Sequence, residues 1–155
     1  MSNHGIICYL AGSIGPEKWR LKVIDDCKDC PIQFLSPVDD IAYSYQSLIP
    51  AHKKNRVFHQ ADKLKVDRAD VILAFLTEKS LDIEKGTFYS GTSWELGYAF
   101  ANRKHTVVVL DMKPSIACRY ELVSRMADNV YEKLDEAIDH LRELSLEMAW
   151  KLEEK

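Results

Sequence analysis

Val71-Ile-Leu-Ala-Phe-Leu76 is an unbroken apolar run, and Thr106-Val-Val-Val-Leu110 repeats the pattern further along the chain. Short runs of this kind, without polar alternation, mark strands covered on both faces, as in a parallel sheet. These two are therefore placed at the centre of a sheet. Upstream, Gly5-Ile-Ile-Cys-Tyr-Leu10 reads as a buried first strand, Ala11 to Gly15 as a turn, and Pro16 opens a helix over Glu17 to Asp29. Gln33 to Ser36 is a second strand, Pro37 to Pro50 a loop, and His52 to Arg68 a helix with Val57, Ala61, Leu64 and Val66 inward. Downstream, a short helix follows Pro114 from Ile116 to Met126, Asn129 to Tyr131 forms a short strand, and a last helix covers Glu132 to Glu154. Leu134, Ile138, Leu141, Leu144 and Met148 recur at three and four residues, a stripe that packs on the sheet. Strand and helix alternate, so the expected fold is α/β and flavodoxin-like. It is a doubly wound parallel sheet of five strands in the order 2-1-3-4-5, with helices on both faces.

The 155 residues are expected to form a single domain, 1–155, long enough for a full core. A net charge of −3 with interspersed signs offers no basic track for a nucleic-acid backbone. No apolar run reaches membrane-spanning length, and the four cysteines come without a signal-peptide pattern, so a cytoplasmic protein with reduced thiols and no membrane association is expected. Cys27-Lys-Asp-Cys30 has redox or zinc spacing. It falls at the end of a helix rather than its start, and no second pair completes a zinc site. It reads as two ordinary thiols. His4, His52, His105 and His140 read as scattered surface residues, and no metal or organic cofactor is implied.

Between the central strands lies Gly91-Thr-Ser-Trp-Glu-Leu-Gly-Tyr-Ala-Phe-Ala101, with one carboxylate, Glu95, among small and apolar neighbours. A helix there begins beyond the carboxyl end of a central strand, where open α/β sheets hold ligands. Two readings of Glu95 stand. In the first turn it would be kept ionised by the helix dipole and available as a nucleophile. Alternatively, Thr92-Ser-Trp-Glu95 is a capping box with no chemistry. Gly97 inside the helix costs about 1 kcal/mol relative to alanine, which points to a close approach. Asp62, on the helix leading into the third strand, is placed to join Glu95, and two carboxylates at one cleft suit glycosidic chemistry. The loop after the second strand carries Asp39, Asp40, Tyr43, Tyr45 and Gln46, groups suited to a small flat ligand or simply to a surface loop.

Tyr9-Leu-Ala-Gly-Ser13, Asp62 eight residues before Asp70, Gly91-Thr-Ser-Trp-Glu95-Leu-Gly-Tyr-Ala99 and Ala127-Asp-Asn-Val130 occur in this order. Together they resemble the nucleoside 2-deoxyribosyltransferase superfamily, from Tyr9 to about Leu134. The resemblance implies that Glu95 is the nucleophile of a covalent deoxyribosyl-enzyme, Asp62 the acid on the base side and Tyr9 the group positioning the nucleophile. The expected substrate contacts are Gly12, Ser13, Gly91 and Asn129 in the matching segments, Asp39 and Gln46 from the loop after the second strand, and Arg119, whose charge suits a phosphorylated substrate. The implied substrates are a nucleoside or nucleotide and a free base. Two branches compete: transferases that pass deoxyribose between bases, and hydrolases of deoxynucleoside 5′-monophosphates. Gly12-Ser13-Ile14 and Arg56-Val-Phe-His59-Gln-Ala-Asp62 resemble the hydrolases, and backbone N–H groups opening a helix suit phosphate. Gly15-Pro-Glu17 departs from their arginine- and glycine-bearing turn. The transferases' second acid falls on Tyr89, with Asp82 or Glu84 as substitutes, and their substrate-binding Asn falls near Arg119-Tyr120. Transfer is the preferred expectation, hydrolysis the alternative, and a non-catalytic nucleotide sensor on the same scaffold the third. Trp94, Tyr98 and Phe100 exceed what one short helix buries within its own domain, so a homo-oligomer, dimer or higher, is expected.

Overall fold

The computed structural model describes residues 5–12, 18–37, 48, 50–78 and 90–153, leaving aside the side chains of 51, 52, 54–59, 90 and 151–153. The elements are β1 (Ile6–Gly12), α1 (Lys18–Asp26), β2 (Ile32–Leu35), α2 (Ala51–Arg68), β3 (Val71–Thr77), α3 (Ser90–Ala101), β4 (His105–Asp111), α4 (Pro114–Ala117), a 3-10 turn (Cys118–Tyr120), α5 (Glu121–Met126), β5 (Asn129–Tyr131) and α6 (Leu134–Glu153). All four strand pairings are parallel, and the order is β2-β1-β3-β4-β5, as expected. β3 and β4 are central, and their registers Ile72↔Thr106 to Leu76↔Leu110 run along the two apolar runs that pointed to the sheet.

Side chains alternate between the faces of a strand, and this period of two divides the core. Cys8, Leu10, Val71, Leu73, Val107 and Val109 pack with Trp19 and Val23 of α1 and with Ala137, Ile138 and Leu141 of α6. Tyr9, Ala11, Ile72, Ala74, Leu76 and Val108 face the other way, against Val66 of α2 and Leu96 and Ala99 of α3. Each of these fully covered aliphatic side chains stabilises the fold by roughly 2 kcal/mol through removal from water. Tyr9 is thereby committed to the face bearing α2 and α3.

Several local expectations are corrected. β1 runs on through Ala11 and Gly12, so these two residues are strand rather than turn. Gly12 has φ of 154°, and a Cβ there would lie 2.9 Å from the Phe75 carbonyl and 3.1 Å from the Trp19 ring, so only glycine fits. On α2, Val66 is buried but Leu64 is exposed; Val57 falls outside the described side chains. The segment after Pro114 is two short helices joined by a 3-10 turn, not one helix. At Gly97 the close approach is not found, because a Cβ would meet only Met126 Cε at 4.0 Å. His105 and His140 are not separate surface residues. Both are half-buried, their rings stack at 5.5 Å, and their Nε2 atoms lie 3.2 Å apart, joining β4 to α6. Cys27 is buried just past α1, where desolvation pushes its thiol up to about 11, so it is a poor nucleophile. Among the described residues no helix is long and apolar enough to cross a membrane, and no three metal-ligating side chains cluster.

Candidate active site

Three elements converge on Tyr9. Its backbone belongs to β1, paired with Leu35 on one side and Ile72 on the other. On α2, Asp62 stands one turn before buried Val66, so the spacing of four turns both toward the sheet. On α3, Glu95 and Ala99 have the same relation, and both are buried. Tyr9 Oη donates to Glu95 Oε1 at 2.7 Å and lies 3.4 Å from Asp62 Oδ1. The phenol has one proton, and the shorter, charge-assisted contact takes it. Asp62 therefore gains from this contact only when it carries a proton of its own to donate to the phenol oxygen.

The electrostatics follow from burial. Glu95 is 7% exposed. Desolvation pushes its carboxyl up from 4.5 to about 7; the Tyr9 hydrogen bond holds it down, the nearby Asp62 carboxylate adds to the rise, and Arg20 and Lys65 oppose it. Neither the first-turn position nor the capping box expected of Glu95 is found. α3 begins at Ser90, so Thr92 is not the residue capping it, and no acid lies in its first turn. Glu95 reaches Tyr9 rather than a backbone N–H, and desolvation outweighs any dipole effect. Tyr9 is itself held far above its ordinary 10 by burial and by the two carboxylates, so it stays a proton donor.

The other expected site residues are scattered. Gly12 ends β1, three residues beyond Tyr9. Gly91 is exposed in the first turn of α3, with nothing within 4 Å of where a Cβ would stand. Arg119 is exposed in the 3-10 turn beyond β4. Asn129 opens edge strand β5 beside Val107, with β3 and β4 between it and β1. Three strand spacings are about 14 Å, so a single chain does not bring Asn129 to Tyr9. Ser13, Asp39, Gln46, Tyr89, Asp82 and Glu84 lie outside the described residues, as does the His59 side chain.

Sequence reading missed Arg20. It is 2% exposed, and its Nε and Nη2 donate to the carbonyls of Leu10 at 3.3 Å and Gly12 at 3.0 Å. Its guanidinium lies 4.5 Å over the Trp19 ring. The signal was present: Arg20 and Val23 of α1, with Cys27 just beyond its end, continue one inward stripe at three- and four-residue spacing.

A five-stranded parallel sheet in this order, with a buried carboxylate in the second turn of the helix after its central strand, defines an α/β protein whose candidate site lies along the α2–α3 face. The profile of the nucleoside 2-deoxyribosyltransferase family matches residues 8–141. The chain belongs to that family, and is an enzyme of the deoxyribosyltransferase or N-glycosidase kind. Among solved structures it is similar to the 2-deoxyribosyltransferase of Bacillus psychrosaccharolyticus, with a TM-score of 0.61 and 14% identity over 85% of this chain and 90% of that one. It is also similar to the CMP N-glycosidase BcmB of Clostridium botulinum, with a TM-score of 0.53 and 17% identity over 87% of this chain and 96% of that one. At these identities both likenesses concern the fold. No curated protein matches the chain.

Proposed function

We propose that the protein cleaves the N-glycosidic bond of a 2′-deoxyribonucleoside and passes the deoxyribosyl group to another base through an ester on Glu95. The observation that carries this reading is one phenol shared by two carboxylates. Glu95 and Asp62 oxygens within reach of the same hydroxyl are at most about 6 Å apart. That is close to the roughly 5–5.5 Å at which one carboxylate attacks the sugar carbon directly while the other handles the proton. Glu95 Oε forms a bond to C1′ as the C1′–N bond breaks. The bonding pair leaves with the base nitrogen, which takes the proton of Asp62. An incoming base then attacks C1′, returns a proton to Asp62 and releases Glu95 as the carboxylate. Tyr9 donates to Glu95 throughout and keeps the attacking oxygen aimed.

Free adenine or cytosine added to a deoxynucleoside is expected to yield the exchanged deoxynucleoside faster than free deoxyribose accumulates. Release of deoxyribose 5-phosphate from monophosphates alone, unaffected by added base, establishes hydrolysis instead; the Clostridium protein of similar fold is named as an N-glycosidase of CMP. In that case Ser13 and Arg119 become the first residues to examine for phosphate binding.

Self-association is part of the same reading. Trp94 and Phe100 on α3 are 42% and 54% exposed, and Trp94 lies flat on Tyr98, with ring centroids 5.5 Å apart and planes 2° from parallel. A second copy over this helix would cover these rings and bring groups such as Asn129 from another chain. Sedimentation at micromolar concentration is expected to show a dimer or larger; a fully active monomer contradicts this.

A further inference from the structure

We propose that Arg20 is a positioning residue for the candidate nucleophile, an inference that rests on the glycosidic reading of Glu95: it holds the end of β1 behind Tyr9, the residue hydrogen-bonded to Glu95. The tether is visible in the strand registers. Pairing of β1 with β2 stops at Tyr9↔Leu35, whereas pairing with β3 continues to Gly12↔Phe75. Among the described residues, the last three of β1 thus have a strand neighbour on one side only. Carbonyls two residues apart in a strand point the same way, and Arg20 donates to those of Leu10 and Gly12. Its planar fork stands in for the strand that has ended. Trp19, stacked on the guanidinium, also blocks the space where a Gly12 side chain would be, so the end of β1 is held from two directions.

Arg20 also acts on the carboxylate pair through its charge. The groups acting on Glu95 are Tyr9 from β1, Asp62 and Lys65 from α2, and Arg20 from α1, and the two cations favour its ionised form. Arg20 also opposes the upward push on Tyr9. Loss of its charge leaves the carboxylate pair with less compensation.

Arg20→Gln keeps donors but removes the charge. The expected result is a folded protein whose acid limb in kcat moves up by about one pH unit and whose kcat at neutral pH falls about ten- to a hundredfold, with KM within about twofold. Arg20→Lys retains the charge and loses the fork, so its acid limb stays in place while kcat drops; this variant also answers if the glutamine protein does not fold. The Glu95 carboxyl is followed independently by carbon NMR titration, with the resonance assigned by its loss in Glu95→Gln. An unmoved titration and kcat in Arg20→Gln, or an unchanged kcat in Arg20→Lys, overturns the positioning role. A Glu95 titration that moves in Arg20→Gln, when the wild-type protein acts on no deoxynucleoside or nucleotide, upholds the electrostatic coupling and overturns the enzymatic reading instead.

Discussion

Glu95→Gln is expected to fold, to become more stable than the parent at neutral pH and above, and to lose turnover by roughly four orders of magnitude or more. The amide oxygen still accepts the Tyr9 hydrogen bond, but a neutral amide cannot form the ester. The stability gain comes from the cost of ionising a buried acid. In the folded protein this carboxyl ionises near 7, against about 4.5 for an exposed one. Between those values the folded state retains a proton that the unfolded chain has released, so the parent loses stability as pH rises. The loss is absent below about 4.5, complete above about 7 and on the order of 3 kcal/mol. Glutamine does not titrate. Thermal midpoints of the two proteins should therefore coincide in acid and diverge toward neutrality, with the variant higher. The same ionisation places the acid limb of kcat/KM near pH 7 in the parent. A variant that folds and turns over at a near-normal rate ends the nucleophile role.

Asp62→Asn is expected to lower kcat by about 10²- to 10⁴-fold with natural deoxynucleosides, the usual range for loss of a proton-transfer group. The loss should depend on the leaving base. A deoxyribosyl donor whose leaving group departs as a stable anion needs no proton, so most of the rate should return. Removing the neighbouring negative charge also removes one cause of the upward push on Glu95, and the acid limb should shift below its parental position. Equal losses with good and poor leaving groups would exclude Asp62 as the proton donor.

The sheet order was legible because its determinants are local: two apolar runs, a stripe on the last helix, and strand–helix alternation. Glu95, Asp62 and Tyr9 were legible by resemblance, and the fold explains their meeting through a period of two on β1 and a spacing of four on α2 and α3. What surrounds them was not legible. Whether Glu95 sits in the first or second turn depends on three residues at the helix start, and that shift separates dipole stabilisation from desolvation. Arg20 was missed because an arginine on an amphipathic helix ordinarily faces water, although its spacing to Val23 and Cys27 put it on the inward stripe. The His105–His140 contact joins residues far apart in sequence, which no local pattern records.

The division of the strands into two faces also bears on inheritance. Ile138, Leu141, Val71 and Leu73 lie on the face away from Tyr9, where exchanges among aliphatic residues alter how tightly the protein is held together. Val66, Leu96 and Ala99 stand beside the residues of the candidate chemistry, on the face where the same exchanges would move Asp62 and Glu95. A lineage can thus drift on one side of the sheet and acquire spare stability there. That reserve can then offset the destabilising changes that a new substrate demands on the other side, so divergence in sequence and divergence in specificity need not proceed together.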